Sequence, residues 1–315
     1  MPAFSASAPG KVILFGEHAV VYGQPAIAVP VLQVRAKAIV NMDPRAPSGS
    51  VRLQAPDIGL EANLSDLPES HPLAAVIHKA AEVIQVKRLP ACTIKVTSTI
   101  PIAGGMGSGA AVSVAILRAF SASLGHPLTD EQVSDIAYQV EVIHHGTPSG
   151  IDNTVITYAR PVYYIKDKPI ELLQVKQPFI LVIGDTGIHS PTARAVGDLR
   201  DAWEKDRSFY ESLFDNIGEI ASTASAAIRA GKVDALGSLM NHNHSLLQEL
   251  GISSPALDSL VEAARSAGAQ GAKLSGAGRG GSMIAMVTSE TSSQVAESLL
   301  AAGAVRTITT EVPTT

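Results

Sequence analysis

Four glycines and one serine occur within six consecutive residues, a composition that is typical of a loop that binds phosphate. They are Gly104, Gly105, Gly107, Ser108 and Gly109. Glycine adopts positive φ readily and lets a ligand approach the main chain closely. A helix predicted directly after the loop would add unpaired N–H groups and the positive end of its dipole. The sequence therefore predicts an anion site here, most often one for phosphate.

The residues on either side of the loop predict the elements that position it. Residues 92–97 alternate between apolar and polar side chains, which predicts a half-buried strand, and the apolar run 110–124 predicts a buried helix. A P-loop would require Lys-Ser or Lys-Thr after the glycines, and a dinucleotide fold would require a second strand after the helix. The P-loop pattern is absent. The dinucleotide pattern G-x-G-x-x-[GA] does match at Gly105, Gly107 and Ala110, but Gly125-His126-Pro127 and another predicted helix follow, so it fails on context.

Bulk properties restrict the function classes. A chain of 315 residues with 46% hydrophobic and 17% charged residues predicts about two compact domains. The net charge is −5 without a basic cluster, so we expect neither nucleic acid nor an anionic membrane as a partner. No apolar run reaches the roughly 18 residues of a membrane span, and no basic residue precedes Lys11 as a secretory signal requires. The single cysteine, Cys92, excludes an internal disulfide and is compatible with a cytoplasmic location.

Several polar residues outside the loop are candidates for a site. Lys11 opens an apolar strand predicted over residues 11–15, and Glu17 and His18 follow it. Taken singly, each is compatible with an ordinary polar position as well as with a site. Glu141 lies near the C-terminus of a helix that begins with a capping box at residues 129–132. Because an acid there opposes the helix dipole, its position favours a functional role.

The second half of the chain is predicted to be mixed. Residues 155–158, 162–165 and 179–183 predict strands, and residues 192–268 are mostly helical. A second glycine-rich loop, residues 273–281, precedes a predicted strand over residues 282–287. This order does not fit a dinucleotide fold, but it suits a loop that closes over a nucleotide.

Three stretches resemble the GHMP kinases, the superfamily of galactokinase, homoserine kinase, mevalonate kinase and phosphomevalonate kinase. They are PGKVILFGEH at residues 9–18, PIAGGMGSGAA at residues 101–111 and KLSGAGRGG at residues 273–281. Residues 16–28 and 144–153 are similar to the mevalonate kinase family in particular. The resemblance covers most of the chain and implies an α+β fold. It further implies an N-terminal domain like ribosomal protein S5 domain 2 over residues 1–175 and a ferredoxin-like C-terminal domain over residues 176–315.

The resemblance also implies an activity and a set of roles. The chain is expected to transfer the γ-phosphoryl group of ATP to the primary hydroxyl of mevalonate, with Mg²⁺ as cofactor. Asp152 would be the acid–base group beside that hydroxyl, and Lys11 would lie against Asp152. Glu17 and His18 would contact the substrate. We expect mevalonate and ATP as small-molecule partners, and a homodimer.

The implied nucleotide and metal contacts involve the two glycine-rich loops. The implied ATP-binding residues are Pro101, Ala103, Gly104, Gly105, Met106, Gly107, Ser108, Gly109, Ala110, Ala111, Gly276 and Gly278. Mg²⁺ would be bound by Glu141 and Ser108. The superfamily usually has a second serine at Gly109, so Ser108 or a water would complete the shell of about six oxygens. Arg279 stands where glycine is commoner, and it either reaches the phosphates or points to solvent.

Two alternatives remain open at this point. Another GHMP kinase acting on phosphomevalonate or a related hydroxy acid would need extra cations, for which Arg194 and Arg279 are candidates. A catalytically silent nucleotide-binding regulator would be expected to have lost Lys11 or Asp152, and this chain retains both.

Overall fold

The computed structural model describes residues 3–101, 104–145, 148–189 and 192–315. Contacts divide the chain into two compact units. The first unit contains Met1–Gly10, Val34–Pro101 and Gly107–Ala159, and the second contains Lys11–Gln33, Ile102–Met106 and Arg160–Thr315. The units are thus interleaved along the chain, and the division passes through the glycine-rich loop. A continuous boundary near residue 175 stays a prediction.

The first unit contains a sheet whose strands follow the predicted alternation. The strands are β1 Ala3–Phe15, β2 Ala26–Met42, β3 Val51–Ala55, β4 Leu60–Asn63 and β5 Cys92–Ser98, of which β1 and β2 begin in one unit and end in the other. The order is β4-β3-β5-β2, with β3 and β5 parallel and β2 and β5 antiparallel. Cys92, Ile94 and Val96 are buried, which confirms the predicted inward face of β5.

Four helices complete the first unit. They are α1 Pro72–Val83, α2 Ser108–Ser123, α3 Asp130–His145 and α4 Ile151–Tyr158. The predicted strand–loop–helix order around the glycines is confirmed, since β5 precedes the loop and α2 follows it. The capping box is also confirmed, because the Thr129 N–H donates to Gln132 Oε1 and the Gln132 N–H donates to Thr129 Oγ1.

One predicted strand is wrong. Residues 155–158 belong to α4, although Val155, Ile156 and Thr157 are β-branched and favour strands locally. All three side chains are buried, and α4 packs against α2 and α3. Packing of this apolar face therefore overrides the local preference.

The second unit is built on a four-stranded antiparallel sheet of order β11-β8-β10-β9. Two short strands, β6 Val162–Tyr164 and β7 Glu171–Leu172, pair with each other, and β6 also pairs with the first residues of β2. The four strands of the antiparallel sheet are β8 Phe179–Asp185, β9 Gly271–Ser275, β10 Ser282–Val287 and β11 Arg306–Val312. Its helices are α5 Thr192–Lys205, α6 Arg207–Ala230, α7 Leu236–Glu249, α8 Pro255–Ser266 and α9 Ser292–Ala301. Helices α7 and α8 pack on β9, and α9 packs on β8. Within the described ranges, no helix combines the length and apolar character needed to cross a bilayer.

Candidate functional site

Three consecutive carbonyls of the first glycine-rich loop are fixed by the second unit. Gly104 O accepts a hydrogen bond of 2.7 Å from Ser282 Oγ, at the start of β10. Gly105 O accepts one of 3.1 Å from Lys11 Nζ, and Met106 O accepts one of 3.1 Å from the Lys11 backbone N–H. Lys11, which is 4% exposed, therefore holds this part of the loop with both its backbone and its side chain.

The fixed carbonyls determine where the loop's donors point. In a trans peptide the carbonyl of one residue and the N–H of the next lie on opposite sides. Because the carbonyls of Gly104 and Gly105 face Ser282 and Lys11, the N–H groups of Gly105 and Met106 face the other way. Gly105 is exposed and has φ 73°, so the main chain there is open to a ligand. Successive N–H groups in such a turn form an anion-binding concavity.

Strands β1 and β9 are joined by hydrogen bonds next to this loop. Ser275 Oγ donates to Ile13 O at 2.9 Å, and the Ile13 N–H donates to Ser275 Oγ at 3.0 Å. A Cβ placed on Gly105 would lie 3.8 Å from Ser275 O, and one on Gly276 would lie 3.7 Å from Gly105 O. The two glycine-rich loops therefore approach each other closely enough for an added methyl group to reach across, and their predicted ATP contacts stay a prediction.

Two glycines are required by their surroundings. Gly278 has φ 76°, and a Cβ there would lie 2.0 Å from Ile252 O. Gly16 has φ 96°, and a Cβ there would lie 2.5 Å from Ala26 Cα. Both a left-handed backbone and a close approach exclude any side chain at these positions. They fix the chain path on either side of the candidate site.

His18 adopts an unusual backbone conformation and is tied to the second glycine-rich loop. Its φ is 59° and its ψ is −47°, its side chain is buried, and its Nε2 lies 2.9 Å from Ala277 O. Burial lowers the pKa of His18 to about 4. The ring is therefore neutral at pH 7, with its proton on Nε2 so that it donates to Ala277 O.

Glu17 is enclosed completely. Its carboxylate pairs with the ammonium of Lys273, and both side chains are 0% exposed. Burial raises the pKa of Glu17, and the proximity of Lys273 and then of Lys11 acts in the opposite direction. Burial likewise lowers the pKa of Lys273, against the effect of Glu17. Lys273 was not among the predicted site residues.

Ser108 lies in the first unit, at the start of α2. The residue before it, Gly107, has φ 71° and precedes the helix in a left-handed conformation. Ser108 is partly exposed, and Gly109 is exposed with no atom within 4 Å of a built Cβ. Ala110 and Ala111 point into the core. The first turn of α2 therefore presents Ser108 and Gly109 at the surface of this unit.

Asp152 is held by the anchoring of α4. It is the second residue of the helix, after Gly150 with φ 86°, and it is partly exposed. Its neighbour Asn153 is buried and donates to Ser134 of α3, at 2.9 Å to Oγ and 3.2 Å to O. Thr154 Oγ1 donates to Gly150 O at 2.8 Å. These bonds fix the first turn of α4 and hence the position of the Asp152 backbone.

Glu141 lies on the last turns of α3, the helix that also carries Ser134, and it is partly exposed. The predicted position near the C-terminus of the helix is confirmed. The structure places Glu141, Asp152 and Ser108 in the first unit, and Lys11, Glu17 and His18 in the second. The predicted contact between Lys11 and Asp152 joins the two units and stays a prediction, and Ala103 lies outside the described residues.

Arg279 has a partner in the second unit. It has φ 58°, and its guanidinium forms an ion pair with Asp198 on α5. Its backbone N–H donates to Ile252 O at 2.7 Å. Arg279 is exposed and its guanidinium is held at the surface by Asp198, while a contact with the phosphates stays a prediction.

Three contacts around the candidate site were not predicted from the sequence: those of Lys273, Ser275 and Ser282. The first two belong to the KLSGAGRGG motif, in which only the glycines Gly276 and Gly278 were predicted to bind ATP. The signal was a lysine within an otherwise apolar strand, since lysine is almost never fully buried unless paired. Nothing in the sequence pairs it with Glu17, which lies 256 positions away.

The sequence matches two family models. One is described as "GHMP kinases N terminal domain" and matches residues 75–160, and the other as "GHMP kinases C terminal" and matches residues 224–305. A mevalonate kinase from Thermococcus sibiricus is 36% identical over 323 residues, which cover 96% of this chain and 95% of that protein.

Solved structures resemble the whole chain. L. major mevalonate kinase in complex with R-mevalonate has a TM-score of 0.83 and 31% identity, covering 99% of this chain and 96% of that one. Methanococcus jannaschii mevalonate kinase has a TM-score of 0.84 and 26% identity, covering 98% of each chain. The expected α+β GHMP kinase fold is confirmed.

Proposed function

The chain belongs to the mevalonate kinase family of GHMP kinases, and on that premise we propose that Lys11, Asp152 and the first glycine-rich loop carry out phosphoryl transfer from ATP to the primary hydroxyl of mevalonate. The observation that carries this proposal is the attachment of Lys11 to the loop through both its backbone N–H and its Nζ. By holding the loop's carbonyls, Lys11 would keep the N–H groups of Gly105 and Met106 turned towards a bound phosphate.

Electrostatics supply most of the rate enhancement in this proposal. Phosphoryl transfer needs in-line positioning and stabilisation of charge, and little covalent help from the protein. The ammonium of Lys11 is nearly buried, and charges act more strongly in a medium of low dielectric. The N–H groups of Gly105 and Met106 add neutral donors that need no reorganisation during the reaction.

Asp152 serves as the general base. Asp152 is a partly exposed residue in the anchored first turn of α4, a position from which its carboxylate would meet an acceptor hydroxyl. It orients this hydroxyl and takes its proton as the phosphoryl group transfers. A positioned base typically contributes about 10²–10⁴ in rate.

The residues of the first unit fit a Mg²⁺ ion. The described part of the chain contains no group of three or more His, Cys, Asp or Glu side chains that could hold a metal. Mg²⁺ is usually bound by one or two carboxylates together with waters and substrate phosphates, so the donor set of Glu141 and Ser108 matches that habit. When bound, Mg²⁺ neutralises charge on the phosphate oxygens.

An ADP-release assay with Mg-ATP tests the function, with mevalonate, phosphomevalonate, homoserine and galactose as acceptors. We expect turnover on mevalonate, and its loss in Asp152→Asn with nucleotide binding retained. Turnover on phosphomevalonate instead would change the assigned substrate. Arg279, a candidate cation for a phosphorylated substrate, already pairs with Asp198, which disfavours this outcome. No turnover on any acceptor, with ATP bound, would favour a regulator.

We also propose that the protein is a cytoplasmic homodimer. The location rests on the single buried cysteine, Cys92, which is compatible with a reducing compartment. The dimer rests on the family resemblance. Light scattering coupled to size exclusion tests it, and a monomer mass at assay concentration would contradict it.

A further inference from the structure

The ion pair between Glu17 and Lys273 is the most deeply buried charge pair among the described residues. Both side chains are 0% exposed. Lys273 Nζ also donates to Leu274 O at 2.7 Å, while Glu17 Oε2 is buried and has no hydrogen-bond partner among the described residues. A pair this costly to desolvate adds little net stability compared with apolar residues of similar size. Its geometry therefore calls for another explanation.

The residue next to the pair is under backbone strain. His18 follows Glu17 directly and has φ 59° and ψ −47°, a region that residues with a Cβ rarely occupy. Such a conformation persists only where its surroundings hold it. Gly16, on the other side of Glu17, is held against Ala26 with φ 96°. Glu17 is thus the central residue of a three-residue segment with positive φ at both ends.

The partners of this segment lie on one stretch of chain. The carboxylate of Glu17 pairs with Lys273. Ala277, four residues further along the chain, accepts a hydrogen bond from His18 Nε2 through its carbonyl oxygen. Between them, Ser275 is bonded reciprocally to Ile13 of β1. The segment 16–18 is therefore clamped at two adjacent side chains to β9 and the loop that follows it.

We propose that the Glu17–Lys273 pair is a positioning device that holds His18 in its strained conformation. This adds a positioning role to the substrate contact that the family resemblance implied for Glu17, whose side chain is completely enclosed. The effect on the acceptor rests on the proposed function, but the effect on His18 does not.

Lys273→Met and the double variant E17M/K273M separate the two roles of Glu17. Lys273→Met leaves a buried carboxylate without its partner, so we expect the Tm to fall by at least about 5 °C. Release of the strain lowers the population of the required His18 conformation by about 5- to 150-fold, so the KM for mevalonate should rise about tenfold or more. The KM for ATP should change by less than about threefold. E17M/K273M removes the unpaired charge and fills the site, so it should recover the Tm, but the KM for mevalonate should stay raised because the pair that holds His18 is absent there too.

A readout that needs no substrate accompanies the kinetics. The His18 imidazole can be titrated by NMR, with its signal assigned from a His18→Asn variant. Its midpoint should be about pH 4 in the wild type, because burial outweighs the Ala277 hydrogen bond and Arg279 disfavours the charged ring. In Lys273→Met the ring is released, and its midpoint should move towards the ordinary value of about 6.5. In E17M/K273M it should move in the same direction, because this variant also lacks the pair.

The outcomes distinguish the proposals. A His18 midpoint that is unchanged in Lys273→Met overturns the positioning role, whatever the enzyme phosphorylates. An E17M/K273M protein that regains its Tm and keeps the low His18 midpoint, but has a raised KM for mevalonate, shows that Glu17 acts on the substrate without positioning His18 and also overturns it. If Lys273→Met does not fold, the double variant still decides between these roles. A wild type that does not phosphorylate mevalonate contradicts only the proposed function, because the His18 titration remains interpretable.

Discussion

The two units supply their candidate site residues in different ways. In the second unit, Lys11, Glu17 and His18 are nearly or fully buried, and each is bonded to a loop or strand far away in sequence. In the first unit, Asp152 and Glu141 are partly exposed on helices. The burial of the first set suits groups that fix geometry and charge, whereas the exposure of the second suits groups that exchange protons or metal ligands with solvent and substrate.

Removal of the Lys11 ammonium should have the largest effect among variants that test this comparison. Lys11→Met loses the hydrogen bond to Gly105 O and the fixed cation, while its backbone N–H still holds Met106 O. Loss of a preorganised charge-stabilising group typically costs about 10²–10³ in kcat. Steady-state ADP release measures it, with the exposed Lys37→Met as the control. A loss below about tenfold would contradict the role of Lys11.

Gly278 and Gly251 form a matched pair that tests the packing of the second unit. Both have left-handed φ, 76° and 70°, but only Gly278 has an atom within reach of a new Cβ, Ile252 O at 2.0 Å. Gly251→Ala should cost about 1–2 kcal/mol from the backbone alone. Gly278→Ala should cost about 2–5 kcal/mol, because a steric clash is added. Denaturant unfolding measures both, and equal losses would contradict the close approach at Gly278.

The buried histidines predict how stability depends on pH. Burial lowers the pKa of His244 to about 4; Arg265 and Lys273 act in the same direction, and Asp258 opposes them. The unfolded chain binds a proton near pH 6.5, whereas the folded state does not until about pH 4. The free energy of unfolding should therefore fall as the pH drops from 6.5 to 4, with His18 contributing in the same direction.

His244→Asn tests this dependence. The Asn oxygen can still accept from the Leu274 N–H, as His244 Nδ1 does at 3.3 Å. The variant should lose about 1–3 kcal/mol of the decline between pH 6.5 and 4. Urea unfolding across this range measures it, and the exposed His126→Asn should leave the slope unchanged. A slope that is the same in His244→Asn as in the wild type would assign the decline to other groups.

Glu141→Gln tests the metal role in the first unit. The Mg²⁺ concentration for half-maximal turnover should rise about tenfold, because the amide is a weaker ligand for a hard cation. The KM for mevalonate should change less. Glu131→Gln, an exposed acid on the same helix, is the control. Unchanged Mg²⁺ dependence would remove Glu141 from the ligand set.

Gly109→Ser should have the smallest effect. The position is helical, and no atom lies within 4 Å of a built Cβ, so a serine fits without clash. Serine also has a slightly better helix propensity than glycine. We expect kcat within about twofold and stability within about 0.5 kcal/mol of the wild type. A loss of kcat beyond tenfold would mean that Gly109 itself is needed by the nucleotide.

Local patterns predicted much of the fold because local interactions determine those features. The capping box at Thr129 and Gln132 is a contact over three residues, and it forms as predicted. The glycine-rich loop between β5 and α2 likewise depends on neighbouring residues. Residues 155–158 were assigned to a strand because their preference was judged in isolation, and the buried face of α4 decides otherwise.

The candidate site was only partly predictable for the same reason. Family resemblance implied Lys11, Asp152 and Glu141, but no pattern along the chain indicates that Glu17 meets Lys273 or that Ser282 holds Gly104. These contacts join positions 256 and 178 residues apart, and they exist only once the sheet of the second unit has formed. The sequence therefore indicated the candidate reactive groups but not the residues that hold the loops and segments around them.

A single-turnover rapid-quench comparison of wild type and Asp152→Asn, at saturating Mg-ATP and mevalonate, tests the central assignment most directly. We predict that the variant transfers the phosphoryl group at least about 100-fold more slowly, while its Kd for nucleotide stays within about threefold. A transfer rate within a few fold of the wild type would contradict the assignment of the base to Asp152 in the first unit.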